Sequence, residues 1–241
     1  MSAARAGGPE PHGPPPTPPP TPPPTPPPAP LLVACALRIE QAALRSGGGR
    51  GAARTAPGYC LLRTGMGPRA AERAVGRALA EPGMGRAPVL ATGFCAGLVP
   101  GMNPGDLVVA EEIRDPRGTV ACDGTALLAE ALARAAPGRT VHTGALTGSD
   151  HVVRGQERAQ LRATGAIAVD MESAATLWTA TRAAADGWNR PVAAVRVIVD
   201  APEHELVRIG TVRGGISAFR VLRAVLPAFH DWHRSLLLPR R

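Results

Sequence analysis

Three acidic residues each stand just past an apolar run: Glu40 after LLVACALRI, Glu172 within AIAVDMES, and Asp200 closing VAAVRVIVD. Carboxylates can stabilise positive charge that develops in a transition state, and they can move protons when partial burial tunes their hold on one. In α/β sheets ligands bind in the crevice outside the carboxyl ends of the strands, so three such residues point to one shared pocket and to an enzyme. Each has a local alternative. Glu40 fits a solvated acid in a first helical turn, Glu172 a cap for the helix running through Trp178, and Asp200 the start of the turn at Ala201-Pro202.

Two glycine-rich segments accompany them. Gly65-Met66-Gly67-Pro68 falls between a strand pattern and a helix pattern, where exposed amides at a helix start hold an anion or a polarised water. It has neither the GK[ST] ending of a nucleotide-binding phosphate loop nor the GxGxxG spacing. ATGFCAGL, Ala91–Leu98, is read as a second turn after a strand, whose glycines let the backbone approach a flat ligand. Cys35, Cys60, Cys95 and Cys122 form no CxxC and have no histidine at ligand spacing, which fits packed thiols in a reducing compartment. Cys95 lacks an activating base in the sequence, and His230 and His233 share a helix face without a third ligand. Neither a metal nor a cofactor is expected.

The elements that must position these groups alternate. Strands are expected at Leu31–Ala36, Tyr59–Arg63, Val89–Ala91, Leu107–Glu111, Val141–Leu146, Ala166–Val169 and Val192–Val199. Helices are expected at Ala70–Glu81, Thr125–Ala136, Gln156–Ala163, Ser173–Ala185 and Ile216–Trp232. Strands alternating with helices imply an α/β three-layer sandwich whose twisted, mixed sheet is largely parallel and covered on both faces.

Composition sets the outer limits. Residues 1–29 carry the repeat PPPTPPPTPPPTPPPAP, which is read as a disordered polyproline arm with no means of building a core. Residues 30–241 suit a single catalytic domain of roughly 200 residues. The net charge is +8, yet every basic residue is arginine and aromatics make up 3%, so the charge follows the Ala, Gly, Pro and Arg bias and no nucleic-acid partner is expected. The start lacks the basic and apolar regions of a signal peptide, and no apolar stretch reaches the roughly 18 residues of a membrane span, so a cytoplasmic protein is expected. The terminal stretch RVLRAVLPAFHDWHRSLLLPRR reads as a helix covering the sheet, or as a transient membrane-surface contact if the substrate is a lipid.

Taken in order, ALRIE (Ala36–Glu40), GMG (Gly65–Gly67), TGFCAGLVPGMNPGDLVV (Thr92–Val109), TGSD (Thr147–Asp150), VDMESAA (Val169–Ala175) and VRVIVDA (Val195–Ala201) resemble the purine nucleoside phosphorylase and uridine phosphorylase superfamily. The nearest resemblance is to methylthioadenosine/S-adenosylhomocysteine nucleosidases and to hopanoid-associated phosphorylase-like proteins. It implies a nucleoside phosphorylase-like fold, a homo-oligomer, and cleavage of the N-glycosidic bond of a purine nucleoside. Glu172 would bind the ribose hydroxyls with Met171 against the sugar, Asp200 would protonate or hydrogen-bond the base, and Glu40 would position or deprotonate the attacking water. Val152, Phe94 and Gly97 would face the base, while Gly65, Gly67, Arg38 and Arg69 would form the anion or water site. Arg196 would orient the Glu40 side or pair structurally.

Departures from the pattern shape the expected substrate. Ala91 and Phe94 stand where hexameric purine phosphorylases carry an Arg and a Ser for phosphate, which favours water as nucleophile unless Arg38 and Arg69 substitute. Val152 and Val153 follow TGSDH where an aromatic usually stacks on adenine, and Val199 replaces a serine before Asp200. A lipophilic 5′ substituent, as in adenosylhopane, and a catalytically weak nucleoside-binding protein are the readings these changes open.

Overall fold

The computed structural model describes residues 29–47, 58–184, 188–202 and 210–238. The polyproline arm therefore lies outside the described residues except at Ala29, whose carbonyl accepts a hydrogen bond from His233 Nε2 at 3.0 Å.

Eight strands form one sheet: β1 (Leu31–Cys35), β2 (Tyr59–Arg63), β3 (Val89–Gly97), β4 (Leu107–Asp115), β5 (Gly118–Ala121), β6 (Val141–Gly148), β7 (Ala166–Asp170) and β8 (Val192–Asp200). Among the described residues the helices are α1 (Arg38–Gly47), α2 (Pro68–Ala80), α3 (Thr125–Ala135), α4 (Gln156–Ala163), α5 (Ser173–Arg182), α6 (Gly210–Ala224) and α7 (Leu226–Leu236). None of them is long and apolar enough to cross a membrane.

The strand β1 shows why the architecture is layered. All five of its residues are buried, as expected for a parallel strand covered on both faces. Leu31, Val33 and Cys35 enter one core with Leu44 of α1, Leu128 and Leu132 of α3, and Phe229 and Trp232 of α7. Leu32 and Ala34 enter a second core with Val75 and Leu79 of α2 and Leu177 of α5. A period of two in the strand thus splits its side chains between two helical layers, which is the sandwich the alternation implied.

The sheet also closes on itself. Parallel pairs β1–β2, β1–β3, β3–β8, β4–β6 and β6–β7 dominate, and antiparallel β4–β8 and β3–β7 complete a ring running β3, β8, β4, β6, β7 and back to β3. Strands β1 and β2 lie outside that ring as an extension from β3. Closure explains why β3 runs to Gly97 rather than ending at Ala91. The glycine-rich segment, expected to be a turn, is strand body because β8 pairs along it and β7 takes its end. The expected terminal helix is likewise two helices, broken at Val225 with Pro227 in the first turn of α7, where a proline needs no amide partner.

One irregularity places chemistry. Cys95 pairs with Ile198 but the next residue, Ala96, pairs with Asp200, so Val199 is an extra residue in β8. Bulges of this kind re-aim a side chain. Ala96 also pairs with Val169, so the ends of β7 and β8 meet at one point of β3 and bring VDME beside VIVD.

Candidate active site

A cavity of about 290 Å³ opens where these ends converge, and Glu40, Asp170, Glu172 and Asp200 all line it. The three carboxylates singled out in the sequence are therefore brought together, from the start of α1, the β7–α5 junction and the end of β8.

Glu40 is 2% exposed, which removes the solvated alternative. Its Oε2 accepts the amides of Ala36 at 2.9 Å and Leu37 at 2.8 Å, the half of a capping box in which an N3 acid reaches back to the start of its helix. Oε1 accepts the Phe94 amide at 2.8 Å from β3. Burial pushes this carboxyl above the usual range, against the opposing pull of Arg196 and of the three amides. Gly93, φ +135°, makes the approach feasible, since a Cβ there would meet Glu40 Oε1 at 2.5 Å and Arg196 Nη1 at 2.7 Å.

Glu172 stands at the N-cap position of α5 but makes no capping bond. Its Oε1 instead accepts the Gly67 amide at 2.9 Å. Burial again raises the carboxyl, with Arg196 opposing and Asp170 adding to the rise. The capping role falls to Asp170, whose Oδ1 accepts the Ser173 amide at 3.1 Å and whose Oδ2 accepts the Ser173 hydroxyl at 2.5 Å.

Behind both glutamates lies Arg196, 1% exposed. Its Nε pairs with Asp170 at 2.5 Å and donates to Ser173 Oγ at 2.8 Å, while Nη1 donates to the Thr92 carbonyl at 2.9 Å. Burial opposes its charge, but Asp170, Glu172 and Glu40 outweigh that and raise its proton affinity. The choice between orienting and purely structural pairing resolves as both: an ion pair with Asp170 and a positive field felt by Glu40 and Glu172.

Asp200 forms an ion pair, not foreseeable from its neighbours in the chain, with Arg158 of α4. Arg158 is 7% exposed and lines the cavity, and its Nε also donates to the Val153 carbonyl at 3.3 Å. Its only sequence signal is a place on the amphipathic α4 pattern, shared by many arginines of this chain.

The remaining predicted residues divide. Met171, Phe94 and Val152 line the cavity. Gly97 does not, and packs against Met102 and Ile198. Gly67 gives its amide to Glu172, while Gly65 donates to the Ala36 carbonyl. Arg38 is exposed on α1 outside the cavity lining, and Arg69 faces an adjoining groove with Arg73 and Asp150. The four residues of the expected anion site are thus not gathered around one point. Cys95 is buried, and burial raises its thiol far above the usual range, which suits packing and not attack. Among the described residues no cluster of three metal-ligating side chains occurs.

The arrangement is anionic where Glu40 and Glu172 gather and carries a guanidinium beside Asp200. Such a cavity suits a bond that breaks to leave positive charge on one fragment. The sequence model described as "Phosphorylase superfamily" matches residues 50–227. Among solved structures, the chain is similar to a 5′-methylthioadenosine/S-adenosylhomocysteine nucleosidase from Neisseria meningitidis in complex with methylthio-immucillin-A: 21% identity, TM-score 0.66, 84% of this chain and 98% of that chain covered. It is also similar to an S-adenosylhomocysteine nucleosidase from Streptococcus pyogenes in complex with 5-methylthiotubericidin (19% identity, TM-score 0.67, 88% and 98% covered). The futalosine hydrolase of Helicobacter pylori has 15% identity and TM-score 0.68, with 85% and 98% covered. No curated protein matches the chain by sequence.

Proposed function

This chain belongs to the phosphorylase superfamily, and from that membership and its site we propose that it hydrolyses the N-glycosidic bond of a purine nucleoside carrying a substituted 5′ position. The observation that carries the reading is the meeting of Glu40, Glu172 and Asp200 on one cavity of about 290 Å³. Nucleosidases are among the solved structures the chain resembles.

In this reading Glu172, fixed by the Gly67 amide, accepts from the ribose hydroxyls with Met171 against the sugar, and its charge favours the oxocarbenium-like transition state. Glu40, held by three amides, orients water and takes its proton, a task suited to a carboxyl whose burial raises its proton affinity. Asp200 faces the base. Two features favour water over phosphate. Ala91 and Phe94 offer no side-chain donor, and Arg38 and Arg69 do not line the cavity.

The 5′ substituent is read as hydrophobic. Met66 and Val152 line the cavity yet are 70% and 62% exposed, an apolar rim for a group that extends outward. Adenosylhopane, methylthioadenosine and S-adenosylhomocysteine are the substrates to compare. A phosphate-dependent reaction is the second reading, favoured by the groove beside the cavity where Gly67, Arg69 and Arg73 meet.

Incubating the protein with those nucleosides, adenosine and inosine, with and without phosphate, tests the proposal by release of free base. Release without phosphate supports hydrolysis and ranks the substituents. Release only with phosphate makes the protein a phosphorylase, and binding with no release of any base makes it a nucleoside-binding protein.

A further inference from the structure

We infer that the mouth of the cavity is a docking surface for an anionic lipid bilayer, with three exposed apolar side chains entering the headgroup layer and a ladder of arginines on α2 meeting its phosphates. Six large apolar side chains are exposed among the described residues, and three of them, Ile39, Met66 and Val152, come from separate segments to this one opening. Met66 and Val152 line the cavity, and Ile39 lies between its lining residues Leu37 and Glu40. Ile39 is 51% exposed, Met66 70% and Val152 62%, so none of them serves a core. Their gathering differs from the scatter of single apolar residues that any surface carries. The terminal helix α7, the other stretch with a membrane-surface pattern, buries Phe229 and Trp232 in the core.

The charges around the opening select the partner. Each apolar residue has an exposed arginine close by in the chain: Arg38 beside Ile39, Arg69 after Met66 and Arg154 after Val152. From Arg69 the row continues along α2 through Arg73 and Arg77, all exposed and four residues apart, which puts them on one helix face about 6 Å apart along its axis. Acids stand nearby, but they are occupied: Asp150 and Glu157 by His151, and Glu72 by Arg117. None of the five arginines makes an ion pair among the described residues. Like charges four apart on a helix repel, so an unpaired ladder works against the free protein and is relieved when anions from outside meet it. Guanidinium groups bind phosphate oxygens through paired hydrogen bonds. A water-soluble polyanion would leave Ile39, Met66 and Val152 in water, and a second copy related by a twofold axis through α2 would set ladder against ladder. A surface of anionic phospholipid offers phosphates to the arginines and an acyl boundary to the apolar rim.

Cosedimentation of the full chain with vesicles tests the surface, using an equal mixture of phosphatidylcholine and phosphatidylglycerol against phosphatidylcholine alone, at low and high salt. Expected is binding to the mixed vesicles that weakens with salt and is roughly tenfold or more weaker on phosphatidylcholine. Arg69→Gln/Arg73→Gln/Arg77→Gln should lose roughly a hundredfold in affinity, and Met66→Ser/Val152→Ser roughly tenfold. Arg134→Gln/Arg220→Gln/Arg223→Gln removes the same charge from exposed positions of α3 and α6, on the other helical layer, and should change affinity by less than about threefold. Equal losses from the two triple variants, no effect of the Met66 and Val152 pair, or wild-type protein that stays in the supernatant with both vesicles overturns the proposal. So does a dimer in sedimentation velocity that the α2 variant abolishes, which would assign the face to a second copy. If the α2 variant does not fold by circular dichroism, Arg73→Gln alone carries the comparison: a loss of roughly fivefold supports the surface, and no loss overturns it. Vesicle binding needs no turnover, so its failure leaves the hydrolytic reading standing.

Discussion

Gly93 lies beneath the carboxylate of Glu40, so close that a Cβ there would come within 2.5 Å of Oε1. It would also reach Arg196 Nη1 at 2.7 Å, and the φ of +135° is one that L side chains rarely adopt. Gly93→Ala should therefore destabilise the protein by about 1–3 kcal/mol and displace the group proposed to hold water. Urea denaturation and turnover should fall together; unchanged turnover with lowered stability would detach Glu40 from the chemistry.

Glu172→Gln separates charge from shape. The amide oxygen can still accept the Gly67 hydrogen bond now made at 2.9 Å, while the negative charge proposed to face the sugar is gone. Turnover should drop roughly a hundredfold or more with the fold intact. Because burial raises this carboxyl, its ionised form works against folding, and that penalty appears as pH rises through the raised folded-state value. The variant should thus melt higher than wild type at neutral pH, with the gap closing on acidification. A gap of the opposite sign at neutral pH would contradict the desolvation argument.

The pH–rate profile follows from the same two glutamates. Both Glu40 and Glu172 are raised chiefly by burial, and both must be ionised in the proposed mechanism. Activity should fall on the acid side at a pH above the ordinary carboxyl range near about 4.3. Stopped assays across pH, corrected for unfolding, measure the limb, and Glu40→Gln should abolish the rate without moving the binding of substrate by more than a few fold.

Arg190 offers the contrasting case of stability without chemistry. It is 1% exposed and donates to the carbonyls of Ala180 at 2.8 Å, Ala87 at 2.5 Å, Gly85 at 2.8 Å and Ala183 at 3.2 Å. It ties the end of α5 to the approach to β3. Arg190→Met leaves those carbonyls to find other partners and should cost about 3–5 kcal/mol. The folded fraction should keep its kcat, as active-site titration against chemical denaturation would reveal.

Much of this was legible from residues alone because strand ends and motifs sit together in the chain. Glu40, Glu172 and Asp200 each follow an apolar run, and the strand and helix patterns around them recur in the fold. What escaped depends on register and on long-range pairing. Arg158 reaches Asp200 across 42 residues, and nothing distinguishes it in a chain with 27 basic residues. Gly93 and Gly97 lie in the same run, yet one sits under Glu40 and the other packs on Met102. Only the pairing of β3 with β7 and β8, including the extra residue at Val199, decides between them. In VDMES Met171 and Glu172 are recognisable from the motif, whereas the anchoring of Arg196 by Asp170 and Ser173 of the same run depends on the fold.

The ring of β3, β8, β4, β6 and β7 holds Glu172 and Asp200 at its seams, whereas Glu40 arrives on α1 from the β1–β2 extension outside it. In the proposed reaction, recognition of a nucleoside and attack on it would therefore lie on separable pieces of chain. On that reading a relative that kept the ring but lost Glu40 would bind a nucleoside it could no longer cleave, through a single substitution and with no change of fold.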